Sequence, residues 1–171
     1  MKRHELEHIL RAASGIINED DIIVIGSQSL LGQYPDAPDE LLQSIEADIF
    51  PKEHQDLSLQ IDGAIGERSF FHETFGYYAH GVDETTAILP ADWRERLVKL
   101  HTANTGGAVG WCLEVHDLAC SKLAAGRKKD IDFVKALIRL KFVDVEKLRS
   151  LISTMPRENQ ALVSRNLQIC L

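Results

Sequence analysis

The sequence predicts an α+β fold, a small mixed sheet packed by helices, and three observations carry that reading. Short β-branched or alternating runs are confined to the first two-thirds of the chain. Helical periodicity takes over from His116 to the end. Apolar residues fill 44% of the 171 positions, enough for one core, and charged residues fill 26%, an ordinary surface share. The chain therefore reads as a single domain over 1–171. Residues 1 to about 115 form an α/β core, and residues from about 116 to 171 form a helical part.

Each element has its own signal. Leu6, Ile9, Leu10, Ala13 and Ile17 recur at helical spacing and predict a helix over 3–18, ended by Asn18-Glu19-Asp20. Residues 21–26 are a β-branched run closed by Gly26, the mark of a buried strand. Ser27 stands where its hydroxyl could cap a helix running through Leu31. Two prolines make 33–39 a loop. Residues 44–50 alternate polar and apolar side chains until Pro51, which predicts a strand with one polar face. Helix is expected over 54–66, short strands over 76–82 and 85–89, and helix over 92–100. Gly106-Gly107 precedes a further strand over 108–115. A helix over 116–125 ends at Gly126, and another begins near Lys128 with Ile131, Val134, Leu137 and Ile138 as its apolar stripe. Asp144 caps a third helix, and after Pro156 a last one covers 158–169.

Composition excludes several classes of function. No run approaches the roughly 18 apolar residues of a membrane span. The segment after Met1 is amphipathic rather than an apolar signal core, so a cytoplasmic protein with no membrane partner is expected. Cys112, Cys120 and Cys170 are odd in number and lack metal-ligand spacing, as free thiols in a reducing compartment would be. The net charge of −7 makes the chain a poor general binder of nucleic acid. That charge is unevenly spread. Residues 19–62 hold eleven acidic side chains and one basic, and residues 121–150 hold nine basic and four acidic. The two segments could face each other across a metal-bound polyphosphate, or each could be a solvated face.

The strongest local feature is the order strand, Gly26-Ser27, helix, then a strand with Glu46 and Asp48. Residues two apart on a strand share a face, so these carboxylates repel each other unless a cation sits between them. A divalent cation with oxygen ligands and spare sites for phosphate suits the pair, while a Gly-Ser turn offers N–H groups to an anion. Alternating acids also decorate many solvated strands, and Gly-Ser is a common turn. His72 and His80 flank an aromatic run, Phe70, Phe71, Phe75, Tyr77 and Tyr78, which reads as packing or as a base-stacking surface. His80, His101 and His116 have no zinc-site spacing.

The run Ile23-Val24-Ile25-Gly26-Ser27 followed by Glu46-Ala47-Asp48 resembles the signature of the nucleotidyltransferase superfamily, in which a Gly-Ser or Gly-Gly turn precedes an acidic-x-acidic strand. Residues 116–130 look like the helical motif of its abortive-infection-type toxin branch, with a Lys on one helix and an Arg/Lys-Asp element opening the next. Residues 66–82 are similar to an uncharacterised bacterial branch of the superfamily. The resemblance covers roughly residues 20–142. It implies a sheet of the nucleotidyltransferase type, with Gly26, Ser27, Lys122 and Arg127 binding the nucleotide. Glu46 and Asp48 would hold Mg2+ or Mn2+. Glu46, Asp48, Lys122 and Asp130 would act in catalysis, with Asp130 holding the nucleotide or orienting Lys122. The implied activity is transfer of an NMP group from an NTP to an RNA or protein hydroxyl, as the toxin of a toxin–antitoxin pair with a cognate antitoxin as partner. The pattern departs at Glu46, where Asp is usual. A third carboxylate, supplied in many members by a later strand, has Glu114 as first candidate and Asp62 as second. An inactive nucleotide-binding or protein-interaction module with the same fold is the alternative.

Overall fold

The computed structural model describes residues 1–171. Helix α1 (Arg3–Ile17) turns Leu6, Ile9, Leu10, Ala13 and Ile17 into the core, the side that its spacing defined. Strand β1 (Asp21–Ile25) has four buried residues in succession because it lies in the middle of the sheet. A tight turn and the short helix α2 (Leu30–Gln33) follow. Strand β2 (Glu46–Pro51) returns antiparallel to β1 and sets Asp48 beside Ile25.

Helices α3 (Ser58–Ile65) and α4 (Phe70–Phe75) lead to β3 (Tyr78–Gly81), which runs parallel to β2 with Glu46 beside Tyr78 and Asp48 beside His80. Strands β4 (Val98–Leu100) and β5 (Val109–Cys112) pair antiparallel, and β5 joins β1 in parallel. The sheet order is β3-β2-β1-β5-β4. Helices α5 (Val115–Ala125), α6 (Lys128–Arg139), α7 (Val145–Ile152) and α8 (Arg157–Cys170) complete the chain. This is the expected α+β architecture, with its helical C-terminal part. One cluster of 41 buried apolar residues runs through both parts, from Ile23 in β1 to Leu118 in α5 and Leu167 in α8. No helix is long and apolar enough to cross a membrane.

The pleat decides which side chains can meet. A Cβ placed on Gly81 would lie 2.0 Å from the Ser58 carbonyl of α3, so Gly81 faces α3 and only glycine fits there. Ala79 shares that face, and register adds Ala47. The period of two then turns Glu46, Asp48, Tyr78 and His80 together to the opposite face.

Several local expectations are corrected. Residues 85–89 are not a strand but a 3-10 turn, Glu84–Thr86, and loop. Residues 92–100 are not a helix. Asp92 adopts a left-handed conformation before a 3-10 turn, Trp93–Arg96, and β4 follows. Tertiary demands override helix propensity there, because Arg96 pairs with the buried Asp117 and Leu100 is needed opposite Gly110. The strand expected over 108–115 stops at Cys112, since Glu114 already caps α5. Ser27 caps nothing through its side chain and opens a 3-10 turn instead. Helix α4 lies in the aromatic run, capped by the Ser69 hydroxyl, and Phe71 and Phe75 pack against His8 of α1.

Candidate functional site

The polar face of β2 and β3 gathers four groups. The Tyr78 hydroxyl donates to Glu46 Oε2 at 2.7 Å. His80 Nδ1 lies 3.0 Å from Asp48 Oδ1. The Asp48 side chain is only 23% exposed, whereas His80 is half exposed. Burial, then the charge of Glu46, raises the Asp48 carboxyl above its ordinary range, with His80 and Lys122 pulling the other way. Burial and the hydrogen bond to Glu46 likewise push the Tyr78 phenol up, so it stays a donor. Ligand atoms of Glu46, Asp48 and His80 all lie within 4.8 Å of one another. Close carboxylates with few donors fit a divalent cation, which would offset the repulsion that burial intensifies.

Gly26 shapes the other side of Asp48. Its φ of 71° and ψ of −173° belong to a region essentially reserved for glycine. A Cβ on Gly26 would sit 2.2 Å from Asp48 Oδ2. The glycine thus brings backbone against a carboxylate.

Gly26 and Asp48 line a cleft of about 130 Å3 together with Lys122 and Arg127. Ile25, register partner of Asp48, and Thr86 to Ile88 line it as well. Lys122 leaves α5 and Arg127 precedes α6, with Gly126 in a left-handed turn between them. Asp130, 1% exposed, ties the two cations together. It accepts from Arg127 Nε at 2.6 Å and lies 3.4 Å from Lys122 Nζ. Burial works against ionisation of Asp130, but the hydrogen bond from Arg127 and the charge of Lys122 outweigh it and hold the carboxyl below its ordinary range. Asp130 thus pairs with both Lys122 and Arg127 and does not itself line the cleft.

Gly26, Asp48, Lys122 and Arg127 thus line one cleft, whereas Glu46, two residues from Asp48 on the same face of β2, and Asp130, bonded to Arg127, do not line it. Ser27 lies next to Gly26 without lining the cleft, and its hydroxyl has no hydrogen-bond partner among the side-chain contacts of the turn. The two candidate third carboxylates lie elsewhere. Asp62 on α3 accepts the Gly81 N–H on the far face of β3. Glu114 caps α5, accepts from the His116 backbone at 2.8 Å, and meets Lys147 Nζ at 3.0 Å. The group beside the acidic pair is instead His80. The signal for it was the shared alternation of Glu46-Ala47-Asp48 and Tyr78-Ala79-His80, two strands with one polar and one small face.

No curated protein and no solved structure matches the chain. A family model described as a nucleotidyltransferase of unknown function, DUF6036, matches residues 4–168, a span that contains every residue of the cleft. The chain belongs to this nucleotidyltransferase family.

Proposed function

We propose that the protein is a divalent-metal-dependent nucleotidyltransferase that moves an NMP group from an NTP to a hydroxyl of RNA or protein. The observation that supports this most is one cleft lined by Gly26 and Asp48 together with Lys122 and Arg127. Acidic and basic segments that are far apart in sequence meet there, as a metal-bound polyphosphate requires.

Glu46 and Asp48 would hold the cation, Mg2+ or Mn2+, which when bound supplies Lewis acidity at phosphate oxygens. Gly26 leaves space for those oxygens beside Asp48. Lys122, steadied by Asp130, offsets the charge that builds as pyrophosphate departs. Arg127 keeps one side exposed and can meet the outer phosphates. The acceptor hydroxyl oxygen bonds to the α-phosphorus, the bond from that phosphorus to the bridging oxygen breaks, and pyrophosphate leaves. The hydroxyl proton passes to solvent.

Exposed Lys129 and Lys128, the latter paired with Asp132, follow Arg127 in the chain and add basic charge that suits an RNA acceptor. The likeness of residues 116–130 to the abortive-infection-type toxins extends the proposal to a toxin held in check by an antitoxin protein. Three unpaired thiols suit the cytoplasm as its setting. One observation favours a second reading, an inactive nucleotide-binding module: neither Glu114 nor Asp62 joins the acidic pair.

Incubation with Mg2+, each labelled NTP and total RNA separates the readings. Label transfer by the wild type, absent from a folded Asp48→Ala variant, supports the enzyme. Triphosphate binding without transfer supports the module. Absence of both binding and transfer overturns both.

A further inference from the structure

We infer that His80 is a third ligand to the cation, and that its imidazole makes the site favour Mn2+ over Mg2+. The inference rests on the proposed metal site at Glu46 and Asp48 and adds to it a ligand that neither strand motif contains.

Three features support it. Parallel register fixes His80 beside Asp48, so their proximity is built into the backbone and does not depend on a rotamer alone. His80 Nδ1 is 3.0 Å from Asp48 Oδ1, and its approach to both acids is within 4.8 Å. Third, the other nearby donors are already committed. Tyr78 donates to Glu46, and Lys122 lies against Asp130. A cation drawn in by the two carboxylates thus meets an imidazole nitrogen whose present partner, Asp48, is itself a ligand. Rotation about the side-chain bonds of the half-exposed His80 is enough to exchange that hydrogen bond for a metal bond.

The ligand set decides the metal. Two carboxylates and one neutral imidazole balance a divalent charge and leave positions open for phosphate oxygens. Mg2+ demands near-ideal octahedral oxygen coordination and binds imidazole poorly. Mn2+ takes the same carboxylate oxygens, and as the larger, less strongly hydrated ion it admits a nitrogen donor more readily than Mg2+ does.

The test uses the full chain without nucleotide. Mn2+ and Mg2+ affinities are measured by calorimetry, and the Mn2+-loaded protein is examined by electron spin-echo envelope modulation for 14N coupling. Expected are 14N modulation and a Mn2+ preference over Mg2+ of roughly tenfold or more. His80→Ala should lose the modulation and most of the preference. His80→Asp, which restores an all-oxygen set, should bind Mg2+ better than the wild type. His72→Ala, whose ring packs on Tyr78 at 4.6 Å, should keep the modulation. If Asp48→Ala abolishes Mn2+ binding while the wild type shows no 14N coupling, the inference fails and the metal site stands. If Asp48→Ala leaves Mn2+ binding unchanged, the metal site and the inference fall together.

Discussion

Two regions of this molecule hold a carboxylate against a histidine at nearly the same distance, 3.0 Å for Asp48 and His80 and 2.8 Å for Glu114 and His116. Their surroundings are opposite. Glu114 accepts from a backbone N–H, the His116 ring and the Lys147 ammonium, and His116 Nε2 in turn accepts the Asp144 N–H. Burial opposes the charge on Glu114, but those hydrogen bonds prevail and its carboxyl is pushed down to about 2. Asp48 has a second carboxylate next to it and no ammonium within bonding distance, and its carboxyl is raised. The difference lies in the number of donors. A carboxylate with its acceptors filled ties α5 to α7, whereas a carboxylate short of donors lines a cleft, where the proposed cation would sit.

The largest expected effect breaks the cleft without touching the tie. Asp48→Ala should lower transfer by on the order of 10^3-fold or more, because a metal ligand is lost. Its thermal midpoint should stay near that of the wild type, since a desolvated charge is removed with it. Gly26→Ala should come next. Its left-handed conformation and the clash with Asp48 predict a loss of about 1–3 kcal/mol of stability in urea denaturation, together with weaker metal binding.

Glu114→Gln probes the other region. The carboxyl of Glu114 sits below its ordinary value of 4.5 in the folded state, so it contributes stability above that pH and loses it as pH falls. The wild type should exceed the variant by about 2–3 kcal/mol at pH 7. That gap should close as pH falls from 4.5 toward about 2 in pH-dependent urea melts, with transfer at pH 7 little changed. The smallest effect should be that of Asp130→Asn, which loosens Lys122 and Arg127 without removing either. A fall in kcat of roughly tenfold is expected, with nearly unchanged affinity for the cation in calorimetry.

The same contrast shows what the sequence made legible. The β-branched run 21–25 and the alternation around Glu46 and Asp48 are local patterns, and both appear as the expected strands. Asp144 accepts from the Lys147 N–H at 2.7 Å, as a cap should. Lys122, Arg127 and Asp130 were found through a motif, and their mutual contact follows from the Gly126 turn. The alternation of Tyr78-Ala79-His80 hinted at a polar face, but only the parallel register of β2 and β3 sets His80 beside Asp48. Strand β4 was hidden for a similar reason. Its three residues carry too little pattern, and its place depends on Arg96 reaching Asp117 and Leu100 facing Gly110. Helix α4 had a readable signal, Ser69 before it and Gly76 after it, but its aromatic residues drew the reading toward packing and stacking.

The central claim is that Asp48 and its neighbours receive a cation that carries a triphosphate. Calorimetric titration with an NTP analogue whose α–β bridge is methylene tests it most directly, with Mn2+ or Mg2+ present and again with the ions chelated. Binding is expected only with the cation, absent in Asp48→Ala and weakened in Lys122→Ala. Equal binding after chelation, or undiminished binding by Asp48→Ala, would contradict the account.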